Sequence, residues 1–207
     1  MICNDPLRKR RVTYSHAWWN GAFTDVELKH IQNFCDELEP EKAMTIGNEN
    51  IEEIEKIRKS EISFFSRQDS NFWIFDRLNQ VIDNINKQFF DFDLYGYETC
   101  QYTVYDSSYE GKYDWHVDIN LGDDFLSKSW EKSTRKLSIV LLLNEPEKDF
   151  TGGELEIHFG KEEKSLTLPM QKGTIMSFPS FMAHRVKPVL SGVRKSLVIW
   201  VEGPKFK

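Results

Sequence analysis

A chain of 207 residues with 40% hydrophobic and 14% aromatic residues has the material for one packed domain and needs no staples to hold it. Its formal net charge of −6 argues against a partner bound mainly through phosphates, and no run approaches the ~18 apolar residues of a membrane-spanning helix. Three cysteines (Cys3, Cys35 and Cys100), an odd count without metal-ligand spacing, speak against a disulfide framework and for a reducing, cytoplasmic setting.

The chain opens on a basic cluster, Arg8-Lys9-Arg10-Arg11, which reads as a solvated terminal segment, with a nucleic-acid or targeting role as the alternative. No long apolar stretch marks a signal peptide there. Thr24-Asp25-Val26-Glu27 fits a capping box. Behind it Leu28, Ile31, Phe34, Cys35 and Leu38 recur at helical spacing, and Pro40 stops the helix. Ile51, Ile54 and Ile57 predict a second short helix, while 58–65 fits helix or strand equally. Ile74, Leu78, Val81, Ile82, Ile85 and Phe89 form one apolar stripe, which predicts a helix over about 71–90 packed on a sheet.

From Glu98 the period changes to that of strands. Short strands are expected over 98–105, 112–118, 135–143, 153–159, 164–168, 173–178, 184–189 and 194–202. Turn chemistry such as Gly152-Gly153, Lys172-Gly173 and Ser191-Gly192 separates them. The expected class is therefore mainly β with flanking helices (α+β): a jelly-roll or sandwich core with N-terminal helices packed on one sheet. It divides one domain, 1–207, into a mostly helical part (1–97) and the strand core (98–204). The stretch 119–134 reads as a long polar loop, a length often given to lids.

One tetrapeptide carries chemistry. In Trp115-His116-Val117-Asp118, strand alternation places His116 and Asp118 on one face. His184 starts a later strand. If the sheets bring the three together, two imidazoles and a carboxylate cap one side of a metal and leave the other open, an arrangement suited to non-haem iron(II). Arg194 starts the last strand, where an interior guanidinium is costly unless it grips a carboxylate in its planar fork. Ser196 shares that face and can add a hydrogen bond. His16, His30 and His158 read as exposed or locally satisfied, His158 on a solvated face with Glu154 and Glu156.

Tyr113 to Asp118, Arg135 to Asn144, Gly152-Gly153-Glu154-Leu155, Lys172-Gly173-Thr174, Phe178-Pro179, His184-Arg185-Val186 and Arg194-Lys195-Ser196 follow one another in an order that resembles the 2-oxoglutarate/iron(II) dioxygenase superfamily. The branch most similar is the prolyl 4-hydroxylase-like one, in particular PKHD-type bacterial and phage hydroxylases, over roughly 57–204. The resemblance implies a double-stranded β-helix core. It further implies iron(II) on His116, Asp118 and His184, 2-oxoglutarate held by Arg194 with Tyr105, Ser196 and Gln101 in the same pocket, dioxygen as oxidant, and ascorbate as a candidate reductant. Arg58, Trp115 and Trp200 become candidate substrate contacts, although Tyr105 and Trp200 also suit a core and Gln101 a structural place. Leu142 stands where some animal prolyl hydroxylases place a second cosubstrate-contacting tyrosine. The implied reaction is hydroxylation of an unactivated C–H bond, with a proline of a peptide or protein as the first substrate to test. A free amino acid or nucleobase substrate, or a non-catalytic metal- or 2-oxoglutarate-binding module, are the rival readings.

Overall fold

The computed structural model describes residues 14–42, 51–119, 133–160 and 164–205. The basic cluster Arg8-Lys9-Arg10-Arg11, Cys3 and most of the loop expected over 119–134 lie outside them. The fold is mostly β, with strand ladders running antiparallel. In chain order it contains β1 (Ala17–Trp19), α1 (Asp25–Asp36), β2 (Glu41–Lys42), α2 (Ile51–Ile57), β3 (Arg58–Lys59), β4 (Glu61–Ser66) and α3 (Phe72–Ile85). There follow β5 (Thr99–Asp106), β6 (Lys112–His116), β7 (Ser133–Leu142), β8 (Phe150–Gly152), β9 (Leu155–His158) and β10 (Ser165–Thr167), then β11 (Ile175–Pro179), β12 (His184–Val186) and β13 (Val189–Pro204).

Helix α1 starts where the capping box predicts. Thr24 Oγ1 accepts from the Glu27 backbone, and Glu27 accepts from the Thr24 backbone at 2.7 Å. It ends at Asp36, four residues before Pro40. The stripe over 71–90 forms α3 as far as Ile85, and residues 86–90 continue as one wide π-helical turn that Asp91 closes with a positive φ of 54°. Residues 58–65, ambiguous in sequence, resolve as strand.

Among the described residues the strands make two sheets. The larger runs β1-β11-β7-β13-β5-β4-β2, with β8 joined to β13; the smaller runs β10-β9-β12-β6-β3. Strand alternation divides the larger sheet cleanly. Leu137, Ile139 and Leu141 of β7, Leu197, Ile199 and Val201 of β13, and Cys100 and Tyr102 of β5 pack against Leu28, Ile31 and Cys35 of α1 and the stripe of α3. Val140, Leu142, Tyr105, Met176 and Phe178 turn the other way and meet Leu155, Ile157 and Val186 of the smaller sheet. The helices thus pack on one face of the larger sheet, as the stripe predicts, and the opposite face is free to build a site between the sheets.

Three differences from the sequence expectation have physical causes. The stretches 184–189 and 194–202 are not separated as expected: Val189 onward is a single 16-residue strand, because Gly192 adopts a positive φ and pairing with β8 continues into pairing with β5. Glu156 does not sit on a solvated face; it is 7% exposed and ion-paired to Arg185 at 2.7 Å. Short strands β1, β2, β3 and β8 have too few residues to show a period. No helix among the described residues is long and apolar enough to cross a membrane.

Candidate metal centre

His116 closes β6, Asp118 follows two residues later, and His184 opens β12, directly opposite His116 in the ladder. Their ligand atoms all lie within 4.8 Å of one another. Nε2 of His116 is 3.6 Å from Asp118 Oδ1, and Nε2 of His184 is 3.5 Å from Oδ2, so the carboxylate lies between two imidazole nitrogens. Nδ1 of His116 meets the Asp114 carbonyl at 2.8 Å, and Nδ1 of His184 meets the Met182 carbonyl at 3.0 Å. A carbonyl only accepts, so in each ring Nδ1 carries a proton and Nε2 is the atom turned to the carboxylate. Burial, and then the nearby His184, hold His116 well below its ordinary pKa despite the opposing pull of Asp118, which keeps the ring neutral. Two ring nitrogens and a carboxylate therefore converge on one point. That set of donors fits a divalent metal.

Asp118 is fixed from behind. Burial alone would raise its pKa, but His184, His116 and the Ser138 hydroxyl outweigh it and hold the carboxyl below its usual range. Ser138 Oγ donates to Oδ2 at 2.6 Å and meets Ser180 Oγ at 3.0 Å. The Ser180 carbonyl accepts from the Asp118 and Ile119 backbones. Support of this kind orients metal ligands in general. Neither serine stands out in sequence, because their use depends on β7 lying beside the 179–183 turn.

A pocket of about 790 Å³ opens between the sheets around this cluster. Arg194, Ser196, Val198 and Trp200 of β13 line it at every second position, with Gln101 and Tyr105 of neighbouring β5. Arg194 is 1% exposed and donates from Nη1 to Ser196 Oγ at 3.0 Å, while its Nε and Nη2 are buried without a partner. Burial pulls its pKa down, with Tyr105 opposing, but a guanidinium starts high enough to stay charged. A buried cation with two free donors and no carboxylate pairing among the described residues is a built site for an anion. Gln101 is buried and donates to Thr103, and Tyr105 is buried with the Arg194 guanidinium 5.5 Å from its ring centre. Leu142 is fully buried in the core between the sheets.

The remaining sequence candidates also reach the pocket, but not all in the same way. Arg58, Trp115 and Trp200 line it. The Trp115 ring is meanwhile covered by the Arg185 guanidinium at 4.5 Å and touched edge-on by His158 at 5.2 Å. Several lining residues escaped the sequence reading, Arg135 and Tyr113 among them. Arg135 lies 3.9 Å over the Trp200 ring and donates to the Asp118 carbonyl at 3.3 Å, and Tyr113 stacks on His116. Arg135 is the third residue of β7, just ahead of its apolar run, and Tyr113 is three residues from His116, a spacing that strand alternation assigns to the opposite face.

Comparisons with known proteins agree with this geometry. Residues 100–202 match the family model of the 2OG-Fe(II) oxygenase superfamily. Similar curated proteins include PKHD-type hydroxylases of Acidovorax ebreus (38% identical over 94 residues, 44% of this chain and 38% of that protein) and Colwellia psychrerythraea (31% over 108 residues, 52% and 45%). A Synechococcus relative of the same name is 39% identical over 66 residues, 32% of this chain and 28% of that one, so the matches span less than half the length of these curated relatives. Among solved structures, a Pseudomonas putida prolyl-4-hydroxylase superposes with a TM-score of 0.67 at 19% identity, covering 93% of this chain and 95% of that one. A viral collagen prolyl hydroxylase from Paramecium bursaria Chlorella virus-1, in a 2OG complex, superposes with a TM-score of 0.64 at 20% identity over 92% and 97%. The stretch 100–202, which carries His116, Asp118, His184 and Arg194, belongs to the 2OG-Fe(II) oxygenase superfamily.

Proposed function

We propose that this chain is an iron(II)- and 2-oxoglutarate-dependent dioxygenase that hydroxylates an unactivated C–H bond, with a proline of a peptide or protein as substrate. The observation that carries the reading is the pairing of a three-donor cluster with a buried, unpaired Arg194 in one pocket. In this reading residues 1–207 form one oxygenase domain, the two sheets are a double-stranded β-helix, and His116, Asp118 and His184 hold the iron. Bound iron and 2-oxoglutarate supply the oxidising chemistry, spending dioxygen to give succinate, CO2 and a hydroxyl on the substrate. Ascorbate serves as reductant.

The chain's own residues bind and orient. Nε2 of both histidines and the Asp118 carboxylate present their lone pairs to one point. Arg194 grips the far carboxylate of 2-oxoglutarate, with Ser196 holding the guanidinium and Tyr105 and Gln101 shaping the wall. The apolar wall of Val140, Leu155 and Val198 excludes water from the reacting end. Arg58, Arg135, Trp115 and Trp200 line the approach and contact the substrate. The hydroxylase names of the sequence relatives support the reaction class. A further fold neighbour, a Trichoplax adhaerens prolyl hydroxylase, is bound to a hypoxia inducible factor peptide, which supports a peptide as the first substrate to test.

The test is anaerobic addition of iron(II) and 2-oxoglutarate, read by the charge-transfer absorption of the chelate. Wild type develops the band and His116→Ala or Asp118→Ala does not. Arg194→Ala loses charge-assisted hydrogen bonds of about 1.5–3 kcal/mol, so it weakens 2-oxoglutarate roughly ten- to a hundredfold while metal affinity is kept. No band with wild type, or equal loss of both affinities in Arg194→Ala, overturns the assignment. Coupled succinate release with prolyl peptides, against oligonucleotides and free amino acids, then identifies the substrate class, and a gain of one oxygen on the proline confirms it.

A further inference from the structure

The oxygenase reading leaves unexplained why Tyr113 lies on His116. In a regular strand the two side chains, three residues apart, point to opposite faces. Here the pairing slips: Tyr113 is opposite Val186 and His116 opposite His184, so Asp114 and Trp115 together face the single residue Arg185. That is a β-bulge, a device that re-aims a side chain at the expense of ladder regularity. Its effect is to turn both Tyr113 and His116 inward. Their rings stack face to face, with centroids 3.4 Å apart and planes 12° apart.

The other face of the Tyr113 ring is also used. The Arg58 guanidinium lies 4.5 Å over it, and since His116 covers one face, Arg58 occupies the opposite one. Arg58 is itself fixed, buried at 7% exposure with Nε donating to Ser60 Oγ at 2.9 Å. Strand β3, only two residues long, places Arg58 opposite Tyr113 in the ladder. A sandwich of guanidinium, phenol and imidazole results, worth more than its area because a cation over an aromatic face is attracted by the ring.

His116 needs such support more than its partners do. Its side chain is 14% exposed, against 6% for His184 and 8% for Asp118. Asp118 is held by Ser138 and the Ser180 carbonyl, and His184 is flanked by Phe178 at 4.5 Å. His116 is held at Nδ1 by the Asp114 carbonyl and meets the His184 ring at 4.1 Å, and Tyr113 covers a face of its ring. We propose that Tyr113, clamped between Arg58 and His116, is a positioning residue that locks the His116 ring so that Nε2 meets Asp118 and His184 at one point. This rests on the metal triad of the oxygenase reading. Both contacts use the ring faces and neither uses the hydroxyl, so the ring alone does the positioning.

The test is titration of the purified full chain with cobalt(II) under anaerobic conditions, without cosubstrate, for wild type, Tyr113→Phe and Tyr113→Leu. The expected result is wild-type affinity for Tyr113→Phe and a loss of roughly tenfold for Tyr113→Leu, with an altered visible spectrum of the bound cobalt. Tyr113→Phe should keep both the cobalt affinity and the thermal midpoint of the metal-free protein, while Tyr113→Leu lowers the midpoint modestly and also alters the spectrum of the cobalt it binds, which a packing defect away from the ligand would not do. Tyr113→Leu binding as tightly as wild type, or Tyr113→Phe as weakly as Tyr113→Leu, overturns the proposal while leaving the triad intact. A wild-type chain that takes up no more cobalt than His116→Ala overturns the metal reading and this proposal with it. Should Tyr113→Leu fail to fold, Tyr113→Trp, which restores a stacking face, set against Tyr113→Met makes the same comparison.

Discussion

Asp118 is the side chain on which most of the site converges, and its partners differ in what they contribute. Ser138 donates the shortest of its hydrogen bonds, at 2.6 Å, from a position with no exposure to solvent. Ser138→Ala removes a hydrogen bond to a charged group and leaves the carboxylate free to turn away from the histidines. Metal affinity should fall roughly ten- to a hundredfold while the fold is kept, checked by metal titration alongside circular dichroism. Gly153 makes a different demand. Its φ is +66°, and a Cβ there would come within 2.9 Å of Arg194 Cδ, on the side chain assigned to the cosubstrate. Gly153→Ala should cost about 1 kcal/mol or more in stability through backbone strain, and should weaken 2-oxoglutarate more than metal by displacing the guanidinium. Equal loss of the two affinities in calorimetric titrations would count against the link to Arg194.

Helix α1 is anchored by its first turn. Removing the cap in Thr24→Ala should destabilise the protein by about 1 kcal/mol in denaturant unfolding. The Thr24 backbone N–H, and next its hydroxyl, hold Glu27 below the usual carboxylate range. A depressed folded-state pKa stabilises the fold fully above the unfolded value of about 4.3 and ceases to do so as pH falls through the lower folded value. The gap in stability between wild type and Glu27→Ala should therefore close in acid. This helix was legible in sequence because cap, period and stop agree within sixteen residues. The strands β5, β7 and the 194–202 part of β13 were legible for a similar reason: alternation over eight or more residues marks a strand clearly. Helix α3 was legible except for its last turn, where the apolar stripe runs on through Phe89 and hides the change to the wider π turn. Strands β1, β2 and β3 were not legible, since two or three residues acquire strand character only from a neighbour distant in sequence. The bulge in β6 was hidden for the same reason, and Tyr113 with it. His116, Asp118, His184 and Arg194 were readable because such residues are costly inside a sheet sandwich unless they bind something. Ser138 and Arg135 look ordinary until the strands are assembled.

At the scale of the whole molecule, the helices and the site share one sheet from opposite sides. Leu78 of α3 is fully buried, and Leu78→Ala should cost about 2–5 kcal/mol by leaving a cavity. Ligands draw on the same balance. Iron(II) with 2-oxoglutarate at a hundred times their dissociation constants should add about 2.7 kcal/mol for each independent site, and a chelator should withdraw it, read as a shift in thermal midpoint. Strand β13 has a less obvious implication. It is gripped by β5 on one side and β7 on the other over its central residues, so it has no room to slide. Arg194 and Trp200 are set into it six residues apart, close to 20 Å along an extended chain at about 3.4 Å per residue. If Arg194 holds 2-oxoglutarate as proposed, a strand that cannot slide keeps the guanidinium at one place in the pocket, so a diacid one methylene longer or shorter should present its chelating end off the mark.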